Sequence, residues 1–204
     1  MIYLFSSLDK FTDEMLENSL AIVPEGRRKH ALKFGAKEDQ KRAVIGWLLL
    51  AYGLRKEYGI ARPPEFSYGA SGKPFLPGEN MPFFSISHSG NYIGCALHSE
   101  EIGLDIQKTV TPRPSLIRKV CTQKEAARVD RASQDSSRQE FCRIWTQKES
   151  VVKLTGEGIC KDFRNILLLH PEIHTATLPL AGGAYFLSCS TLGVPSYSSG
   201  SISP

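Results

Sequence analysis

The 204-residue chain is short of the features that mark several large protein classes. No apolar run approaches the ~20 residues that a bilayer crossing needs, which argues against a membrane span. The five cysteines are scattered and none forms a CxxC pair, so neither a disulfide framework nor a zinc site is indicated. The first residues lack a basic leader and a long apolar core, which argues against a signal peptide. We therefore expect a reduced, cytoplasmic protein.

Two familiar nucleotide-binding loops are also missing. The sequence contains neither GxxxxGK[ST] nor a GxGxxG placed after a strand, which excludes the usual phosphate cradles. What remains is ordinary for a soluble globular protein, with 41% hydrophobic and 23% charged residues. A chain of this length can bury a sizeable core.

Positive charge is concentrated between residues 25 and 42. The segment holds seven Lys or Arg and three Asp or Glu, and this excess (7 − 3 = 4) equals the +4 of the whole chain. A solvated helical face would explain the pattern, and an anion-binding surface for a phosphorylated ligand is the sharper alternative. A nucleic-acid binder would rest on this segment alone, without aromatic interleaving or a known motif, so we expect no nucleic-acid partner.

Hydrophobic periodicity and turn residues predict a mixture of helices and short strands. Three predicted helices cover 10–22, 37–58 (stopped by Gly59) and 114–120. A fourth begins at a Thr122–Glu125 capping box, and a fifth follows a Ser137–Glu140 box and is ended by Gly156 and Gly158. The predicted strands are a hairpin of 83–88 and 92–98, a third strand at 102–107, and late strands at 166–169 and 184–190. Residues 62–82 are predicted to be loop, with Lys73 exposed on a turn, and the tail 194–204 is predicted to be frayed.

The order of these elements predicts an α+β protein built from two similar halves. Each half is predicted to run helix first and strands later, with the boundary between residues 100 and 112. We place it after residue 105. The half 1–105 then holds the basic segment and the GKP and SHS motifs, and the half 106–204 holds the WxxKESxxK helix.

Two acidic positions carry the most specific chemistry. On a strand, Asp105 and Gln107 point to one face, and oxygen ligands of this kind suit a hard cation. On a helix, Trp145, Glu149 and Lys153 are four residues apart and share a face. The alternatives are a half-buried strand whose polar face meets solvent and an ordinary helix-stabilising Glu–Lys pair.

The turn after the first predicted hairpin strand offers further polar groups. Ser87 and His88 stand at its start, beside Ser89 and Gly90. A hydroxyl, an imidazole and free backbone N–H groups at a turn can bind a phosphate. A lone histidine at a strand end can equally be a satisfied core residue.

Taken together and in order, the motifs FSISHSG, GLDIQ and WTQKESVVKLTGEG resemble those of the Sfp-type 4′-phosphopantetheinyl transferases. In that family a basic segment and GKP come first, and here they are matched by 27–42 and 72–74. The resemblance covers about 24–158, and its third motif is the specific one. It implies a pseudo-dimer of two α+β halves with coenzyme A in the cleft between them. It also implies transfer of the 4′-phosphopantetheine arm to a serine of an acyl or peptidyl carrier protein, with release of 3′,5′-adenosine bisphosphate.

The resemblance also implies a role for each matched residue. Magnesium, or manganese in its place, would be held by Asp105, Gln107 and Glu149, and Gln107 departs from the glutamate that is frequent at its position. Glu149 would take the serine proton, and Lys153 would sit near the pyrophosphate, so the catalytic group is Asp105, Glu149 and Lys153. The coenzyme would be bound by basic and turn residues: Arg28 or Lys29, Lys73, Pro74, Ser87 and His88. A monomer would suffice, and a catalytically degenerate homologue that binds coenzyme A or a carrier protein is the alternative.

Overall fold

Two three-stranded antiparallel sheets of the same strand order organise the chain. The computed structural model describes residues 1–158 and 162–193. The first sheet has the order β1-β5-β4 and the second the order β6-β8-β7. In each sheet the strand that comes first in the chain pairs with the strand that comes last, and the middle strand lies on the far side.

The first half contains three helices, a short 3-10 turn and five strands. In chain order these are β1 (Ile2–Phe5), the 3-10 turn (Leu8–Lys10), α1 (Asp13–Ile22), α2 (Glu25–Leu32), α3 (Lys37–Tyr58), β2 (Ser67–Tyr68), β3 (Pro74–Phe75), β4 (Phe83–Ser89) and β5 (Tyr92–His98). β2 and β3 form a separate two-stranded ribbon.

The second half repeats this plan with four helices, two 3-10 turns and three strands. They are β6 (Ile102–Lys108), α4 (Pro114–Val120), α5 (Gln123–Arg131), α6 (Gln134–Thr155), a 3-10 turn (Phe163–Asn165), α7 (Ile166–Leu169), β7 (His174–Leu180), a second 3-10 turn (Ala181–Gly183) and β8 (Tyr185–Thr191). The predicted α+β architecture with two similar halves is therefore confirmed.

The long helices α3 and α6 correspond to each other. Each has 22 residues and ends at a glycine in the left-handed region, Gly59 (φ 67°) and Gly156 (φ 74°). α3 packs its buried face on the first sheet, in a core that includes Trp47, Leu50 and Leu54. α6 lies very close to β6, where a Cβ added at Gly103 would stand 1.9 Å from the carbonyl oxygen of Ser150. This close approach explains the glycine before the Asp105 motif.

The two sheets meet where β4 lies beside β6, and serine hydroxyls join them. Three serines on one face of β4 accept hydrogen bonds from backbone N–H groups of β6: Ser85 from Leu104 (2.9 Å), Ser87 from Ile106 (3.0 Å) and Ser89 from Lys108 (2.9 Å). Because strand side chains alternate, His88 points to the opposite face of β4, toward α3. The junction is thus made of side chains on one strand and main chain on the other.

Several predicted elements are confirmed. The helix 37–58 with its Gly59 stop, the helix 114–120, the Thr122–Glu125 capping box and the hairpin are all present. The last predicted strand is present as β8, and the loop 62–82 contains only the short β2 and β3 among its regular elements. The predicted frayed tail 194–204 lies outside the described residues.

Other predictions are wrong for identifiable reasons. The first helix begins at Asp13 instead of residue 10, because the Thr12 hydroxyl caps it by accepting from the Met15 N–H. The Ser137–Glu140 box is not a cap, since α6 already begins at Gln134 and Glu140 instead pairs with Arg128 and Arg143. The apolar run 166–169 is a helical turn, because a short apolar run has no period that separates strand from helix.

The order within each half also differs from the prediction. Both halves open on a strand, β1 and β6, rather than on a helix. β6 pairs with β8 and not with the hairpin, so it belongs to the second sheet, and the proposed boundary after residue 105 falls inside this strand. Within the described residues, no helix is long and apolar enough to cross a bilayer.

Candidate active site

Asp105 lies at the centre of a hydrogen-bonded group between the two halves. It stands in the middle of β6 and is 1% exposed. Its Oδ1 accepts from Lys153 Nζ at 2.7 Å and from Ser87 Oγ at 3.0 Å, and its Oδ2 accepts from Gln107 Nε2 at 3.1 Å. The structure therefore brings together four side chains that the sequence singled out, one from β4, two from β6 and one from α6.

Glu149 and Lys153 reach this group from neighbouring turns of α6. Glu149 Oε1 is buried and has no hydrogen-bond partner among the described residues. Burial raises the pKa of Glu149 above its ordinary value, the negative charge of Asp105 raises this pKa further, and Lys153 partly offsets the rise. Trp145, the third residue of this predicted face, packs instead between the rings of Phe141 and Phe163.

The acidic pair and the amide fit a hard divalent cation. Asp105 Oδ2 accepts a single hydrogen bond and Glu149 Oε1 accepts none from the described residues, so both oxygens have lone pairs to offer. Carboxylate and amide oxygens are the ligands that magnesium and manganese prefer. Within 1–158 and 162–193, no three His, Cys, Asp or Glu side chains cluster for metal binding, because the third position here is Gln107.

A cleft of about 480 Å³ opens beside this group. Lys153 lines it and so connects it to Asp105. Cationic and aromatic side chains make up much of the rest of its wall: Arg27, His30, Phe34, Arg42, Trp47, Phe66, Tyr68, Lys73, Phe84 and His88. Aromatic faces beside guanidinium and ammonium groups suit a ligand that carries both a base and phosphates.

Arg27 is poised to bind an anion on this wall. Its guanidinium lies 4.7 Å from the ring centroid of Phe66 and donates to the Ala43 carbonyl at 3.3 Å. Its Nε is buried without a hydrogen-bond partner among the described residues. Burial lowers the pKa of Arg27, although a guanidinium stays charged in proteins. A half-buried cation with a buried, unused donor atom favours a bound negative charge.

His88 and Arg42 lie on the same wall. Arg42 donates to the Gly90 carbonyl at 3.2 Å and pairs with Asp39 at 2.6 Å. The pKa of His88 is lowered first by partial burial, then by the positive charges of Arg42 and Lys153, while Asp39 raises it. A lowered pKa favours the neutral imidazole, which can donate one N–H to a ligand.

Lys73 lies at the other end of the cleft, where the sequence predicts it, but it is not a free lysine. Its ammonium pairs with Glu101 and donates to the Leu154 carbonyl at 2.7 Å, in the last turn of α6. Pro74 follows it in β3 and also lines the cleft. Lys73 thus ties the β2–β3 ribbon of one half to a helix of the other.

Arg28 and Lys29 are not brought to the cleft. Both are exposed on the opposite side of α2, where Lys29 pairs with Glu25. Arg27 and His30 line the cleft instead, three residues apart on one helical face, and neither is predicted as a site residue from the sequence. The signal that would have found them is this helical spacing, applied once Glu25–Leu32 is recognised as a helix.

The WxxKESxxK motif also contains a lysine that lies outside the site. Lys148 is fully buried and donates to the Val120 carbonyl (2.8 Å), the Glu125 carboxylate (2.7 Å) and the Arg164 carbonyl (2.5 Å). Ser150 bonds to Ser190 on β8 at 2.7 Å. Of the motif's KES triplet, Glu149 faces the site, and its neighbours fasten α6 to the fold.

Comparison with known proteins gives matches to one kind of enzyme. Residues 101–195 match the family model described as the 4′-phosphopantetheinyl transferase superfamily. Residues 10–101 match the model for the N-terminal part of 4′-phosphopantetheinyl transferases. The two matches meet at residue 101, immediately before β6.

Individual relatives agree with these matches. The chain is 32% identical over 145 residues to a 4′-phosphopantetheinyl transferase of Bacillus subtilis, an alignment that covers 70% of this chain and 64% of that protein. It is 28% identical to the transferase Sfp of Bacillus subtilis (strain 168), over 72% of this chain and 66% of that protein. It is 35% identical to AcpT of Escherichia coli (strain K12), over 68% of both chains. The chain therefore spans just under two thirds of the first two relatives.

Proposed function

Since the chain belongs to the 4′-phosphopantetheinyl transferase superfamily, we propose that it transfers the 4′-phosphopantetheine arm of coenzyme A to a serine of an acyl or peptidyl carrier protein. The released product would be 3′,5′-adenosine bisphosphate. The observation that carries the proposal is the meeting of Asp105, Glu149 and Lys153 at the edge of a cleft lined with cations and aromatic rings. Such a cleft suits the nucleotide and phosphates of coenzyme A.

The coenzyme would lie along the cleft with its phosphates on the cationic wall. Arg27 has an unused buried donor, and Arg42 and His88 stand on the same wall. Lys73, held by Glu101 and the end of α6, would meet the nucleotide portion, beside Pro74. The pyrophosphate would then lie near Lys153, whose ammonium would stabilise negative charge on the leaving phosphate.

In the reaction, the serine oxygen of the carrier forms a bond to the β-phosphorus, and the bond from that phosphorus to the bridging pyrophosphate oxygen breaks. The serine proton goes to Glu149, and the electron pair of the broken bond stays with the leaving phosphate. In the metal-free protein, burial raises the pKa of Glu149 and makes it a stronger base than an exposed glutamate. Magnesium held by Asp105, Gln107 and Glu149 would supply further charge stabilisation to the phosphates. Manganese offers the same chemistry with the same ligands.

Carrier proteins of this kind are acidic, and the net charge of +4 would favour their approach. A monomer with both halves in one chain would suffice. This monomeric state and a cytoplasmic location stay predictions.

Intact-protein mass spectrometry tests the proposal. An apo carrier protein is incubated with this protein, coenzyme A and magnesium, and the carrier is expected to gain the mass of one phosphopantetheine arm. Chelation of the metal should abolish the gain. The variant tested in the site is Lys153→Met. Its matched control is Lys124→Met, which replaces an exposed lysine on α5.

A catalytically degenerate coenzyme A or carrier binder is the second candidate. One observation favours it: Gln107 donates its amide N–H to Asp105 and adds no charge to the site. Under this alternative no carrier of any type gains mass, although the protein still binds coenzyme A. Activity of the wild-type chain on any carrier would exclude it.

A further inference from the structure

The hydroxyl of Ser87 has every hydrogen-bonding position occupied by the protein itself. It accepts from Ile106 N–H at 3.0 Å and from Lys153 Nζ at 2.8 Å, and it stands 3.0 Å from Asp105 Oδ1. A serine hydroxyl has one proton and two lone pairs. With both lone pairs used by donors, its proton goes to Asp105. Ser87 therefore has no free position for a phosphate of the coenzyme, although the sequence suggests that role.

From this we propose that Ser87 is a positioning residue, which holds Asp105 and Lys153 in the orientation that the transfer reaction needs. Asp105 Oδ1 accepts from both Ser87 and Lys153, so its lone pairs are used by donors of the protein and are not offered to a metal ion. Oδ2, which accepts from Gln107 alone among the described residues, becomes the oxygen that a divalent cation would bind. Ser87 decides which carboxylate oxygen is available.

Two neighbouring serines separate this role from a purely structural one. Ser85 and Ser89 accept from backbone N–H groups of β6 in the same way as Ser87 does, at the same 2.9–3.0 Å. Ser85 is 8% exposed and Ser87 4%, so the two are matched in burial. Of these three serines, Ser87 also bonds the side chains of Asp105 and Lys153. Ser85→Ala therefore removes the strand-to-strand bond, and Ser87→Ala removes that bond together with the support of the site.

The inference rests on the proposed function for its activity readout but not for its binding readout. The test compares wild type, Ser85→Ala, Ser87→Ala and Ser87→Thr, which keeps the hydroxyl. Three quantities are measured for each: the Mn²⁺ affinity by calorimetry, the melting temperature, and kcat and KM for coenzyme A with an apo carrier protein.

Both alanine variants should lower the melting temperature to a similar extent. Ser87→Ala should in addition weaken Mn²⁺ binding by about tenfold and lower kcat by about tenfold or more, as is typical when a residue that orients a metal ligand is lost. KM for coenzyme A should change little. Ser87→Thr should restore the Mn²⁺ affinity and kcat. If Ser87→Ala does not fold, Ser87→Cys keeps the side-chain size with weaker hydrogen bonding and gives the same comparison.

Three results would overturn the proposal. Equal Mn²⁺ affinity and kcat in the two alanine variants would leave Ser87 a structural residue. A raised KM for coenzyme A at unchanged kcat would make it a coenzyme ligand. If the wild-type protein does not bind Mn²⁺, Asp105 is not a ligand of this cation. If the wild type modifies no carrier protein, the proposed function fails by itself, and the Mn²⁺ comparison still decides the role of Ser87.

Discussion

The two lysines of the WxxKESxxK motif should separate stability from activity when each is replaced by methionine. Lys148 is fully buried and its ammonium has three acceptors, of which the Glu125 carboxylate is the charged one. Glu125 also accepts from the Thr122 N–H in the capping box of α5. Lys148→Met removes the cationic partner of that carboxylate and the side-chain donor of two carbonyls, in a place that water reaches poorly.

The expected cost follows from this geometry. Removing one partner of a buried ion pair destabilises a protein by roughly 3–5 kcal/mol, because the other charge stays buried and unpaired. For a chain of about 200 residues this corresponds to a fall in melting temperature of about 6–20 °C. Lys153 has a side chain that is 30% exposed, and Asp105 keeps Ser87 and Gln107 as donors, so Lys153→Met should cost roughly 1–2 kcal/mol.

Activity should show the opposite order. Measured well below the lowest melting temperature, Lys148→Met should keep most of its kcat, whereas Lys153→Met should lose about 10²-fold or more. Urea unfolding gives the stabilities, with Lys124→Met as the exposed control, and carrier mass gain gives the rates. The double variant Lys148→Met/Glu125→Gln should recover part of the lost stability, since no unpaired charge remains. A loss below about 1 kcal/mol in Lys148→Met, with full activity in Lys153→Met, would refute the assignment of both lysines.

Three further predictions concern single residues of the site. Gln107→Glu sets a second carboxylate against Asp105 Oδ2, so the metal-free protein should lose about 1–2 kcal/mol of unfolding free energy and should bind magnesium more tightly. If calorimetry finds an unchanged magnesium affinity, residue 107 is not a ligand of the cation. Glu149 has a raised pKa, so its ionisation lowers the stability of the folded protein once the pH exceeds the ordinary pKa of glutamate. Glu149→Gln should therefore be less active but more stable than wild type at neutral pH, and the difference in stability should vanish in acid. Equal unfolding curves at pH 7 would contradict the raised pKa. The pKa of His88 is lowered by burial, Arg42 and Lys153, and a bound phosphate would raise it. The affinity for coenzyme A should therefore increase as the pH falls from 8 toward that pKa. His88→Gln should lose this pH dependence of the affinity, and an unchanged pH dependence would place His88 away from the phosphates.

The sequence predicted the elements with strong periodicity and explicit end signals. The 22-residue helix α3, with its glycine stop, and the capping box at Thr122 are of this kind. It did not predict β1, whose four residues are too few to show a period, or its pairing with β5, which is set by a contact about 90 residues away along the chain. Long-range pairing of this sort depends on the whole fold, so local pattern cannot indicate it.

Within the site, the sequence predicted which residues take part more reliably than it predicted the direction in which each side chain points. Asp105, Gln107 and Lys153 do meet, because strand alternation and helical spacing place them. Ser87 and His88 are adjacent in one motif, yet the same alternation sends them to opposite faces of β4, one into the junction and one into the cleft. A motif read as a unit hides this division.

The manner in which the two halves meet explains why a polar site can exist at their junction. β4 and β6 are edge strands of their own sheets, and a direct ladder between them would fill the junction with backbone hydrogen bonds. Serine hydroxyls instead satisfy the N–H groups of β6 at alternate residues. A side-chain acceptor keeps the two backbones farther apart than a carbonyl would, because the serine Cβ and Oγ stand between them. Asp105 can then be buried at this line without losing its hydrogen-bond donors, and the hydroxyl that satisfies the main chain at Ile106 also orients the carboxylate beside it. The bond that joins the halves and the bond that orders the site are made by the same atom.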